Sequence, residues 1–267
     1  METVKKFAEL GTPAELSAFL ENRAGAHRSL SQYTTLTVLK KIVAGGAWHF
    51  CRPDGMNDGE EYRRIPARFR QSLYFACFTF MNSESMAMWG LYSIPREEGV
   101  RITFPGKAWR EWLSGVHTVR EAGGGRVVEG VPVFARDVAY MGRDRVGLYW
   151  NASSNKRLLQ KHTVRALHEA LPAGVKHYAW KYEQESRAFL AVPDLPDCSA
   201  LALPLPQRCL EQLQVTYGPY VPEAAVAETD CFLLEQGLRR GSRSEFTGLV
   251  DLRDLCGLCV HRFQRRG

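Results

Sequence analysis

The segment "AWKYEQESRAFLAV", residues 179–192, sets two glutamates one residue apart, Glu183 and Glu185, just ahead of Arg187 and an apolar run. In an extended chain the side chains alternate between faces, so Glu183, Glu185 and Arg187 share one face, and Tyr182, Gln184 and Ser186 share the other. Two neighbouring carboxylates repel each other unless an arginine, a metal ion or a proton lies between them. The segment is therefore either a solvated strand edge with Arg187 as partner or a catalytic carboxylate pair.

Working outward, "LYFACFTF" is a continuous apolar run of strand length, expected near the centre of a sheet. "AWHFC", "GVRITF", "LALPLP" and "LQVTYG" also read as strands, and "GGGRVVEGVPVFARDVAYMG" as a strand, a turn and another strand. "GTPAELSAFLENRA" opens with the Thr12–Glu15 spacing of a capping box and predicts a helix. Helices are also expected in "TTLTVLKKIVAGG", ended by Gly45–Gly46, and in "ESMAMWGLY", capped by Asn82 or Ser83. Further helices are "PGKAWREWLSG", the long "SSNKRLLQKHTVRALHEALPAG", and one from Pro222 to Gly237. "RPDGMNDGEEY" reads as a turn-rich loop.

Strands arrive in groups rather than in strict alternation with helices. The expected class is α+β, with a split or mixed, mostly antiparallel sheet flanked by helices. The 267 residues suit one domain. Within it, residues 1–30 form an N-terminal helical extension, 31–225 the core, and 226–267 a C-terminal helix and basic tail.

A 45% hydrophobic and 24% charged composition excludes a disordered chain. No apolar run approaches the roughly 20 residues of a membrane span. The opening "METVKKFAEL" lacks the apolar stretch of a secretory signal, so a cytoplasmic location with no membrane attachment is expected. The seven cysteines are odd in number and scattered, as expected of reduced thiols. Cys256 and Cys259 form a Cys-x-x-Cys near His261, but no second ligand pair stands at a recognisable spacing, so no metal site is expected. The net charge of +6, concentrated in "RRIPARFR", "NKRLLQKHTVR" and the tail, suggests attraction to a polyanion.

Four motifs in order, "QYTTLTVLKKIVAGGAWHF", "MNDGEEY", "MWGLYSIPREEGVRITF" and "WKYEQESRAFL", resemble a large uncharacterised bacterial and phage domain family, and "VTYGPYVPE" is similar to a later motif of it. Two departures stand out. Gly59–Glu60 replace that family's Pro-Phe, and Gly90–Leu91 replace its Ser-His. More distantly, "SLYFACFTFMNSESMAMWGLY" followed by "EQE" resembles the ADP-ribosyltransferase superfamily. This second resemblance implies NAD as substrate, a toxin or phage-defence role, and a protein or nucleic-acid acceptor. A toxin brings with it the expectation of an antitoxin or immunity partner.

Cleaving the nicotinamide–ribose bond of NAD passes through an oxocarbenium-like sugar, which a carboxylate on a ribose hydroxyl stabilises as charge develops. On the resemblance Glu185 takes that role, Glu183 activates the acceptor as a general base, and Arg187 keeps both ionised or holds a phosphate. Trp89 and Tyr92, three apart on a helix, are candidates for an aromatic wall against nicotinamide. Tyr33 and Thr35 are candidates to hydrogen-bond ribose or amide groups, and Arg52, Asn57 and Asp58 to border the pocket.

Each assignment has a structural alternative. Trp89, Tyr92 and Tyr33 equally suit a core, Thr35 a helix cap, and Asn57–Asp58 an ordinary turn. Competing functions are plain NAD hydrolysis, a non-enzymatic nucleic-acid-binding module using the basic segments, and a metal nuclease built on Asp58, Glu183 and Glu185.

Overall fold

The computed structural model describes residues 10–56, 58–142, 148–150, 164–192 and 198–249. Helix α1 (Pro13–Ala26) begins with the expected capping box: Thr12 Oγ1 accepts the Glu15 N–H at 3.2 Å, and the Glu15 carboxylate accepts the Thr12 N–H at 3.1 Å. Its Leu16 and Leu20 are fully buried against Ala139, Leu167 and Leu171. Strand β1 (Ser29–Thr35) runs straight into α2 (Leu36–Gly45), which Thr35 caps at its start. Gly46, at φ +56°, turns the chain out of α2 in a left-handed conformation that glycine adopts without strain.

There follow β2 (Ala47–Cys51), α3 (Gly59–Arg64), α4 (Ala67–Arg70) and β3 (Leu73–Thr79). Next come α5 (Met86–Tyr92), β4 (Gly99–Pro105), α6 (Gly106–Leu113), β5 (Val116–Glu121) and β6 (Val127–Asp137). The short β7 (Ala139–Met141), β8 (Leu148–Trp150), α7 (Val164–Ala170) and β9 (Val175–His177) precede β10 (Glu185–Ala191). The described chain ends with β11 (Ala200–Pro204), α8 (Gln207–Leu210), β12 (Gln214–Tyr217), α9 (Glu223–Glu235) and β13 (Ser242–Arg243).

Among the described residues, ten strands form one sheet in the order β10-β6-β5-β11-β2-β3-β1-β4-β12-β13, and β10 also pairs with β3. That extra pairing closes the first six strands of the order into a ring, from which β1, β4, β12 and β13 extend. All its pairings are antiparallel except β12 with β13. The expected class, α+β with a mostly antiparallel sheet, is the one observed. A second sheet sets β7 between antiparallel β8 and parallel β9.

Opposed residues of antiparallel strands point to the same face. Ala188 and Leu190 of β10 therefore join Ala76 and Tyr74 of β3 in the main core, together with Trp48, Phe104, Trp109 and Trp112. Within it Phe78 meets Trp109 edge-on at 4.7 Å, and Phe104 stacks on Trp112 at 5.1 Å. Glu185, Arg187 and Phe189 take the other face with Thr79, Cys77 and Phe75.

Three local expectations change. The turn-rich loop after β2 contains α3, whose N-cap is Asp58, accepting the N–H groups of Glu60 and Glu61. The cap of α5 is Ser85 rather than Asn82 or Ser83. Only α7, the C-terminal part of the predicted long helix, lies within the described residues. Asn57, Cys256, Cys259 and residues 250–267 of the basic tail lie outside them. No helix among the described residues is long and apolar enough to cross a membrane.

Candidate active site

The site forms where the sheet divides. One edge of β3 pairs with β10 along its whole length, from Leu73↔Ala191 to Thr79↔Glu185. Its other edge is shared, with β2 meeting it at Cys51↔Phe75 and β1 at Ser31↔Thr79. Between those two points β1 and β2 diverge, and the ladder is open. A buried carbonyl left there needs another donor, and Gln32 Nε2 supplies one to the Cys77 oxygen at 3.2 Å. A cavity of about 400 Å³ occupies the division, with Tyr33 of β1 and Arg52 just after β2 on its rim, Leu91 and Tyr92 from α5, and Lys176, Glu183, Glu185 and Arg187 along the charged wall.

Glu183 does not lie on the strand, contrary to the alternation expected. It closes a 3₁₀ turn, Tyr178–Glu183, and Gln184 at φ +44° makes a left-handed kink before β10 begins at Glu185. The kink nevertheless brings both carboxylates to one cation. Lys176 Nζ donates to Glu183 Oε2 at 2.5 Å and to Glu185 Oε2 at 3.3 Å. Tyr92 Oη donates to Glu183 Oε1.

Arg187 is 1% exposed. Its Nε and Nη2 donate to Glu185 at 2.7 and 3.0 Å, and its Nη1 and Nη2 to Glu61 at 2.5 and 3.2 Å. Nη1 also donates to the Ala173 carbonyl at 2.7 Å. Bidentate pairs of this kind are the geometry a planar guanidinium provides and an ammonium does not. The backbone N–H of Glu185 donates to Tyr140 Oη at 2.9 Å, which fixes the start of β10.

Glu61, Glu183, Glu185, Lys176 and Arg187 are all nearly inaccessible to water. Three carboxylates thus face two cations, and their environments push proton affinities apart. Burial raises the Glu183 carboxyl, the neighbouring Glu185 charge adds to it, and Lys176 and Tyr92 only partly offset them, leaving it at about 7. Burial works in the same direction at Glu185, but Arg187 and then Lys176 outweigh it and hold this carboxyl well below the usual range. Burial would also deprotonate Lys176, yet Glu185 and Glu183 hold its proton firmly. The Cys77 thiol, pushed well up by burial and then by Glu185, is a poor nucleophile here.

The predicted residues divide into two groups. Glu183, Glu185, Arg187, Tyr33, Arg52 and Tyr92 meet at the cavity. Tyr33 Oη accepts the Ser85 N–H at 3.1 Å, and Arg52 Nε donates to Tyr74 Oη at 3.3 Å. Trp89 does not line it: 2% exposed, it packs edge-on to Tyr33 at 4.7 Å and donates from Nε1 to Glu84 at 2.9 Å. The expected Trp89–Tyr92 wall is replaced by Tyr92 with Leu91, which stands where the resembled family has histidine. Thr35 and Asp58 are helix caps away from the cavity. The sequence reading missed Lys176, Glu61 and Tyr140. Nothing in their local context marks them, because each is recruited from another element.

No family model matches this chain, and no curated protein does, so the resemblance to the bacterial and phage family gains no support. Among solved structures, DarT of Thermus sp. 2.9 is similar. In complex with ADP-ribosylated ssDNA it aligns at 12% identity over 83% of this chain and 95% of that one, with a TM-score of 0.36. The same protein in complex with NAD+ aligns at 13% identity over 82% and 95%, with a TM-score of 0.35. A likeness of this size carries no argument about activity, and the functional reading rests on the cavity itself.

Proposed function

We propose that the chain is an NAD-consuming ADP-ribosyltransferase of the bacterial toxin or phage-defence kind, acting on a protein or nucleic-acid acceptor. The observation that carries the reading is the pair of carboxylates in one cavity whose proton affinities are forced in opposite directions. Such divergence separates an electrostatic stabiliser from a proton acceptor.

Glu185, held ionised by Arg187 and Lys176, stabilises positive charge on the sugar through a ribose hydroxyl. The C1′–N1 bond breaks, and its electron pair neutralises the pyridinium nitrogen as nicotinamide leaves. An oxygen or nitrogen lone pair of the acceptor forms the new bond to C1′, and its proton passes to Glu183. A base near 7 suits that transfer at neutral pH. Tyr92 orients Glu183, Leu91 and Tyr92 offer the ring an apolar wall, and Arg52 at the rim is placed to meet a phosphate. With water as acceptor the same steps hydrolyse NAD.

The test is nicotinamide release from NAD by the purified protein, with and without mixed protein and nucleic-acid acceptors. Glu185→Gln should lower release about 100-fold or more, the scale of losing a preorganised electrostatic contact. Absence of NAD binding and of release by the folded wild type, acceptors included, would overturn the reading.

A further inference from the structure

Lys176 belongs to none of the motifs, yet it is the cation common to both glutamates. It lies on β9, a three-residue strand parallel to β7, with Lys176 opposite Tyr140. That register sets two side chains next to each other, Tyr140 Oη on the Glu185 backbone N–H and Lys176 Nζ on the Glu185 carboxylate. The small second sheet therefore grips the start of β10 from its flank. The ammonium also sits 4.8 Å from the centre of the Trp180 ring, which covers it on the 3₁₀ turn.

We propose that Lys176 is a positioning residue of this site: its ammonium bridges Glu183 and Glu185 and holds the two carboxylates in one fixed arrangement. The groups facing the cluster frame this arrangement. From β10 and α3, Arg187 is engaged by Glu185 and Glu61. From α5 and β3 come the Tyr92 hydroxyl, bonded to Glu183, and Cys77, a thiol raised well above its ordinary range by burial and Glu185. From β7 comes Tyr140, its phenol raised by burial and Glu185 and so kept protonated, and from the 3₁₀ turn Tyr182, raised by burial and Glu183. Among these, Lys176 is the cation that contacts Glu183. Without it Glu183 would face the Glu185 charge with no cation in contact among these groups, while Arg187 would still hold Glu185.

The catalytic part of the inference rests on the ADP-ribosyltransferase reading, but its decisive measurement needs no NAD. Carboxyl 13C and ammonium 15N NMR titrations would be recorded on the full chain, wild type beside Lys176→Met and Lys176→Arg. In the wild type, Glu183 titrates near neutrality, Glu185 does not follow it, and the Lys176 Nζ resonance inflects at the Glu183 midpoint. In Lys176→Met the proton affinity of Glu183 should rise about tenfold or more, the usual effect of removing an adjacent opposite charge, while Glu185, still paired with Arg187, should stay ionised. The limb of the pH–rate profile for nicotinamide release should move by the same amount, and Lys176→Arg should return it toward the wild-type position.

An unchanged Glu183 midpoint in Lys176→Met overturns the proposal. If that variant does not fold, a wild-type Nζ resonance with no inflection at the Glu183 midpoint does so equally. The expected titrations without any nicotinamide release would uphold the role of Lys176 in ordering the pair and sink the enzymatic reading instead.

Discussion

Replacing Glu183 with glutamine should remove a pH dependence of stability that runs opposite to that of a glutamate whose carboxyl is held low. The folded carboxyl titrates at about 7 against an ordinary 4.5. At about 1.4 kcal/mol for each tenfold change in proton affinity, the difference is about 3 kcal/mol. Because the folded value is the raised one, the native state binds the proton more tightly than the unfolded chain. Its contribution is therefore complete below 4.5 and is lost as pH rises through about 7. Glu185, held low, changes its contribution only below its ordinary 4.5, outside this window. Urea unfolding of wild type and Glu183→Gln between about pH 5 and 8 isolates the effect, since groups common to both cancel in the difference. Wild type should lose about 2–3 kcal/mol relative to the variant across that range, slightly less than the full difference because the unfolded carboxyl is already mostly ionised at pH 5. A difference constant to within about 0.5 kcal/mol, or one in which wild type gains with pH, would refute the assignment of Glu183 as the raised carboxyl.

Two further outcomes follow from the geometry. Arg187→Met leaves Glu61 and Glu185 buried without their shared guanidinium and should cost about 3–5 kcal/mol in denaturant unfolding; a loss below about 1 kcal/mol would mean the cluster is not closed as described. Gly106→Ala would set a Cβ 2.1 Å from the His27 carbonyl oxygen, so the junction of β4 with α6 must shift, at about 1–3 kcal/mol; a variant as stable as wild type would contradict that close approach.

Much of the secondary structure was legible locally. The Thr12–Glu15 spacing, the Gly45–Gly46 stop and the unbroken apolar run of β3 are short-range signals, and each corresponds to an observed cap, stop or central strand. Helix α3 was not legible, because "NDGEEY" carries turn residues and its single apolar-bodied residue, Tyr62, shows no period. The rotation of α5 was equally hidden. A spacing of three puts Trp89 and Tyr92 near one another on the helix, but which of them meets the cavity depends on Tyr33 arriving from β1 against the indole, whose N–H the nearby Glu84 accepts.

The same boundary runs through the site. The sequence by itself determined which acids stand together, Glu183 and Glu185 with Arg187 two residues on, since neighbours along the chain cannot separate far in space. Tertiary structure alone decided what those acids are. The β10–β3 pairing places Glu185 and Arg187 on the cavity face, the kink at Gln184 turns Glu183 to join them, the parallel β7–β9 register delivers Lys176 and Tyr140, and α3 brings Glu61 across 126 residues of chain. The charge state of a buried carboxylate is set by desolvation and by partners within a few ångströms. Arg187 is a local partner, but Lys176, Tyr92 and Glu61 are contributed by strand register and helix docking, which no local pattern of residues encodes.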